Sequence, residues 1–421
     1  MKLFVFAKSW SFRIVNNYFL LLALNGLLLM MGMISIAKFD LLIMLAATVI
    51  TISYLSKGVT KFDLFIILFI AVVALSGLLN NYSHELWYQG CRSQLYFTIF
   101  FFVGRHPQIA NLNLFRVGVL PFLSVCIIGL GLYIMSPSWY MDYKLQMFQT
   151  DEDMSEGRIL EMTRLSAFWT YPYWVSYGCA IMYAYIMINC YMKGFMKRED
   201  AIILIFFAFI ALLTQQRAPL FTIASLTIVF ILFGLFKRKR IGHISLRTSI
   251  LYFISLVVCM FMLFLTMIHT DMLSRLLEKF ELLENISMFL NDRADIFSDF
   301  YSKKISLFGD GIGRYSHTAY NLGKQAITDQ QYMQLIYETG YLGCIGYAII
   351  IMTVLFKGLK YYSSFYLELT IIAFFLVAMT GANCLSSFNQ HVAIFWMCCG
   401  RICNKYLVQH YKAKKPSLQV Y

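Results

Sequence analysis

Apolar runs long enough to cross a bilayer follow one another along most of this chain. A span needs about 20 apolar residues to cover roughly 30 Å of hydrocarbon. Runs of that kind occupy 17–37, 39–55, 62–79, 88–104, 113–136, 168–192, 199–214, 218–236, 249–269, 334–356, 365–381 and 391–408. The fourth is the weakest, because Arg92 lies near its outer end. Of the 421 residues, 60% are hydrophobic and only 14% charged, whereas about a quarter of a soluble domain is charged. The expected architecture is an all-α polytopic membrane protein with about twelve transmembrane helices and one long, partly helical outer loop.

Charge fixes the expected orientation. The formal net charge is +13, from 35 Lys and Arg against 22 Asp and Glu. The positives sit in short clusters between apolar runs, the mark of cytoplasmic loops rather than of a nucleic-acid partner. Lys2, Lys8 and Arg13 place the N-terminus inside. Alternation from there puts Lys57 and Lys61, Arg105 and Arg116, Lys193 to Arg198, Lys237 to Arg240, Lys357 and Lys360, and the basic tail at 409–421 on the same side. Both termini are then cytoplasmic. The first run lacks a small-residue cleavage site and is expected to stay as a span. Spans one to nine fill 1–269, a large outer loop fills 270–331, and spans ten to twelve fill 332–408. The ten cysteines show no paired metal spacing and read as small buried hydrophobes. No cofactor and no metal is expected.

The polar interval 270–331 is where chemistry is expected. Leu273, Leu276, Leu277, Phe280 and Leu283 recur at helical spacing, and a second helix is expected after Asn291. Gly309, Gly311 and Gly313 read as a tight turn that brings backbone close to a ligand or to another helix. Thr328 and Gln331 have the spacing of a capping box opening the tenth span. Arg217 is expected at the outer tip of a hairpin, where it either snorkels or grips a phosphate with its planar fork. Arg293 is either a solvated charge or a second phosphate clamp, and Arg164, just before the sixth span, has the same two readings. Asp329 either favours a helix dipole or acts as a general base, a role Glu338 could take instead. Arg158, Arg314, Gln216, Gln331 and Tyr332 complete the candidate substrate-binding set.

These features together resemble the O-antigen polymerase and ligase superfamily, whose polymerases are called Wzy. The likeness rests on the many-span layout with a late outer loop, on Thr214-Gln215-Gln216-Arg217-Ala218, on Arg293 followed by the spaced glycines, and on the run from Asp329 through Glu338-Thr339-Gly340-Tyr341-Leu342-Gly343. Arg164-Leu165-Ser166-Ala167-Phe168 is similar to the family motif before the sixth span, with Ala167 where glycine is usual. The resemblance implies a glycosyltransferase of the bacterial inner membrane. It would join undecaprenyl-diphosphate-linked oligosaccharide repeats on the periplasmic face, with Arg217, Arg293 and Asp329 as catalytic residues. Implied partners are the lipid-linked donor and acceptor and membrane lipids, with a chain-length regulator protein as a further candidate. Ligases of the superfamily carry a His-Asn pair where this chain has Asp329-Gln330 or Gln330-Gln331, which favours polymerase over ligase. The competing class is a twelve-helix transporter or flippase for the same lipid-linked sugars. Transporters keep polar groups at mid-membrane in broken helices of related halves, a pattern these charge-poor spans do not show.

Overall fold

The computed structural model describes residues 2–33, 38–79, 83–148, 164–169, 171–193, 195–236, 304–316, 327, 330–380, 382–385 and 390–414. All regular structure among them is helical: α1 (Lys2–Asn16), α2 (Tyr18–Met30), α3 (Phe39–Leu55), α4 (Lys61–Leu79), α5 (His84–Gly90), α6 (Ile99–Arg105), α7 (Leu114–Met135), α8 (Ser138–Phe148), α9 (Tyr173–Lys193), α10 (Arg198–Leu213), α11 (Arg217–Phe236), α12 (Gln331–Lys360), α13 (Tyr366–Ala378), α14 (Val392–Ile402) and α15 (Lys405–Lys414). The ninth apolar run and most of the interval 270–331 lie outside the described residues.

Three of these helices, α7, α9 and α12, are each long and apolar enough to cross a membrane. Phe6–Asn16 and Tyr18–Met30, bent by 71° at the break between them, would pass together as a fourth. Large apolar side chains face outward along the bundle: Leu45 and Ile52 on α3, Leu120, Ile127 and Ile134 on α7, Ile345, Met352 and Phe356 on α12. A soluble surface avoids such continuous apolar area, and a hydrocarbon solvent accepts it.

The helices meet where small residues let backbones approach. A Cβ on Gly104 would lie 2.9 Å from Gly400 Cα, and α14 packs closely on α6 there. α14 is buried over nearly its whole length, as expected of a helix that is apolar all round. α9 packs against α7, α10, α11 and α13 and forms a second buried axis. Cys126, Cys179, Cys190, Cys384, Cys398 and Cys399 sit in this core.

Several apolar runs are not single helices. The run 88–104 divides into α5, a π turn over Cys91–Leu95, a 3-10 turn over Tyr96–Thr98, and α6. α2 stops at Met30, well short of residue 37, and Gly32 follows in the left-handed region with φ 75°. The run 391–408 splits around Asn404. That side chain donates to the carbonyls of Gly104 (3.0 Å) and His106 (3.1 Å), while its oxygen accepts from Tyr406 N at 2.9 Å.

Two buried ion pairs tie one end of the bundle. Arg105 Nε lies 3.0 Å from Asp63 Oδ1. The Asp63 carboxylate also accepts from Tyr54 (2.8 Å) and Thr60 (2.6 Å), and Arg105 donates to the Cys403 carbonyl. Arg401 Nε donates to Glu368 Oε1 at 2.7 Å. Together these contacts join the ends of α3, α4, α6, α13 and α14.

Candidate functional site

The segment 164–169 is held by α8, the helix in the expected outer loop. Tyr140 donates to Ala167 O at 2.8 Å, Tyr143 to Phe168 O at 3.0 Å, and Lys144 Nζ to Arg164 O at 3.1 Å. Tyr143 and Lys144 follow Tyr140 by three and four residues, so each lies beside it on α8. Leu165 N donates to Leu213 O at 3.2 Å, which lashes the segment to the hairpin between α10 and α11. The hairpin turns at Thr214–Gln216, with Gln215 at φ 55°. Arg217 opens α11 and is exposed; Gln216 and Arg164 are half-buried. Arg164 and Arg217, far apart in sequence, thus belong to one neighbourhood, joined there by Lys144. Ala167 has φ 52°. Glycine occupies that region without a Cβ penalty, so alanine carries a steric cost at this position.

Lys144 was not singled out by the sequence. It is buried, its ammonium lies 5.0 Å from the Tyr140 ring centroid, and burial lowers its pKa to about 8. In an unfolded chain lysine holds its proton to about 10.4. Between pH 8 and that value the unfolded state therefore binds more protons, so stability rises with pH across this window. Melting temperatures of wild type minus Lys144→Met should show that rise, and a difference flat from pH 7 to pH 10 would refute it.

A second polar cluster forms around Glu338, which is fully buried. Its Oε1 accepts from Tyr315 N at 2.8 Å and from Gln334 at 3.1 Å, and its Oε2 accepts from Gln94 in the π turn. Its backbone carbonyl accepts from Gly311 N at 2.9 Å, and Asp310 N donates to Tyr337 O at 2.7 Å. The glycine turn therefore brings backbone against helices. A Cβ on Gly90 would lie 2.5 Å from Gly313 N, and Gly309 abuts Gly340, where α12 kinks at φ 66°. Only glycine adopts that geometry at such a contact. An amide at position 338 would accept from Tyr315 N and Gln334 through its oxygen, but its NH2 would face the Gln94 NH2, which must turn over to accept, and the charge-assisted bonds are lost. Glu338→Gln should cost about 2 kcal/mol or more, read as a lower melting temperature in detergent; an unchanged melt would mean the cluster does not hold the turn.

Gln331 and Tyr332 are anchored to the protein. Gln331 N donates to Met379 O at 3.1 Å, its Oε1 accepts from Leu385 N at 3.0 Å, and Tyr332 donates to Leu376 O at 2.8 Å. The expected capping box is not formed by Gln331: Gln330 is the N-cap, without a side-chain cap bond, and the Gln331 side chain turns to the 382–385 loop instead. Arg314 is exposed in the glycine turn. Arg158, Arg293, Thr328 and Asp329 lie outside the described residues.

An aromatic stack lies beside the 164–169 segment. Trp169 stacks on Trp174 at 3.5 Å, and Trp174 lies 5.2 Å from His391, whose Nε2 pairs with Trp174 O at 2.8 Å. Trp174 also lies 5.4 Å from Phe122, which is about 12 Å along α7 by helical rise. More than half of α7 continues beyond that level. The 164–169 segment and His391 thus lie beside α7, with Ala167 against Gly129. α14 has 11 residues, about 16 Å of rise.

No family model, no curated protein and no solved structure matches this chain.

Proposed function

We propose that the protein is a membrane glycosyltransferase that polymerises oligosaccharide repeats carried on undecaprenyl diphosphate, working at the outer face of a bacterial inner membrane. Twelve spans with both termini inside belong to this reading. The observation that carries it is the lashing of the 164–169 segment to the α10–α11 hairpin, which puts Arg164, Lys144 and Arg217 on one neighbourhood. A diphosphate leaving group needs cations where its charge develops, and a partly water-excluded setting strengthens them. Arg293 would add a second fork, and Asp329 the base that takes the acceptor hydroxyl proton. Glu338 is given a different part: its carboxylate is engaged by Gln94, Gln334 and Tyr315, so it positions the glycine turn.

A transport reading of the same lipid-linked sugars has one observation in its favour. The helices breaking at Cys91–Leu95 and at Gly340 are of the discontinuous kind that transporters use. Purified full-length protein, incubated in liposomes with a synthetic undecaprenyl-diphosphate repeat unit, separates the two. A ladder of products spaced by one repeat is expected; movement of the substrate between leaflets without a ladder would replace polymerase by flippase.

A further inference from the structure

Between α1 and the 3-10 turn over Pro107–Asn111 lies a polar groove that shares no residue with the outer cationic cluster. Its volume is about 430 Å³, and Lys8, Ser9, Phe12, Arg13, Gln108 and Leu112 are among its walls, with two asparagines completing them. Among the described residues no carboxylate lines it. Lys57 stands close enough to Lys8 for the two charges to repel. His106, behind Gln108, accepts from Gln108 N at 3.1 Å. Burial first, then the charges of Lys8 and Lys57, lower its pKa to about 4, so it is neutral at physiological pH and adds no charge of its own. The groove is therefore a pocket of like positive charge whose repulsion an anion would relieve.

The surroundings point to the source of that anion. α1 turns 71° away from α2, so it lies across the first apolar helix instead of extending it. Phe6 and Trp10 are exposed at 71% and 44%, and with Arg13 they form one stripe at successive turns. Aromatic residues beside cations on one helix are the pattern of a helix resting in a headgroup layer. Basic pockets between helices at that level take lipid phosphates. The apolar walls Phe12 and Leu112 suit a ligand that is anionic at its head and apolar below.

We propose that this groove binds the phosphate headgroup of an anionic phospholipid, held by Lys8 and Arg13 with Ser9 and Gln108 as hydrogen-bonding partners. The test uses full-length protein in a neutral detergent, titrated with phosphatidylglycerol, with phosphatidylcholine, or with inorganic phosphate, and read by melting temperature and by native mass spectrometry of bound lipid. Phosphatidylglycerol should raise the melting temperature and remain bound, while phosphatidylcholine and inorganic phosphate do neither. Lys8→Gln with Arg13→Gln should weaken phosphatidylglycerol binding roughly tenfold or more. Arg13→Gln alone, at an exposed position, gives the same direction if the double variant does not fold, and Lys8→Arg should retain binding. Equal affinity of wild type and Arg13→Gln would overturn the site, and a full shift from inorganic phosphate alone would overturn the lipid as its source.

Discussion

Arg217→Lys should abolish long polymer chains while single-repeat caps persist. The exchange keeps the charge and removes the fork. A guanidinium presents paired N–H donors in a plane that fits two phosphate oxygens at once, whereas an ammonium is a point charge that holds no orientation. Misplacing one stabilising donor at a developing anion costs about 10²–10³-fold in rate, enough to collapse a product ladder built by repeated transfers. The substitution should leave the fold alone, because Arg217 is exposed at the first turn of α11 and surface changes stay within about 0.5 kcal/mol. Arg164→Lys should act in the same direction, since Leu165 N on Leu213 O lashes its segment to the same hairpin. The measurement is the chain-length distribution made by each variant, beside its melting temperature. A normal ladder from Arg217→Lys and Arg164→Lys would remove the phosphate clamp from the proposal.

The helices were legible in the sequence because their signal is local. The runs 39–55, 62–79, 113–136 and 199–214 coincide closely with α3, α4, α7 and α10. The breaks were not, since each depends on a partner remote in the chain. Gly90 reads as one more small residue in an apolar run until Gly313 is packed against it. Asn404 looks like a loop residue until its amide is seen bridging Gly104 and His106. The site divides in the same way. Arg164 and Arg217 stand out by charge and by placement at span ends, and the turn of glycines was read as a close backbone approach, which is how it packs on α12. Lys144 carried only a weak signal, the Tyr140, Tyr143, Lys144 spacing on the short helix α8. Gln94 carried none, because an amide in an apolar run shows its purpose only when Glu338 is found at its end.

Arg105 shows how one residue can serve two readings. As a basic residue at a span end it marks an inside loop, yet it is also buried and paired with Asp63 at 3.0 Å. Replacing either partner alone should therefore be severe. Arg105→Met leaves the Asp63 carboxylate buried with only hydroxyl and amide donors, and Asp63→Leu leaves a guanidinium facing Tyr54, Thr60 and the Cys403 carbonyl. Either single change should cost about 3–5 kcal/mol, because it strands a buried charge. The double variant Arg105→Met, Asp63→Leu removes both charges together and should recover much of that loss, as apolar side chains of similar volume often replace buried pairs at little cost. Melting temperatures of the four proteins close the cycle. If the double variant is as unstable as the two single losses added together, the pair is not coupled and the clamp joining α3, α4, α6 and α14 rests on Thr60, Tyr54 and Asn404 instead. If coupling is found, the positive charge at the end of α6 is held in place by its pairing with Asp63.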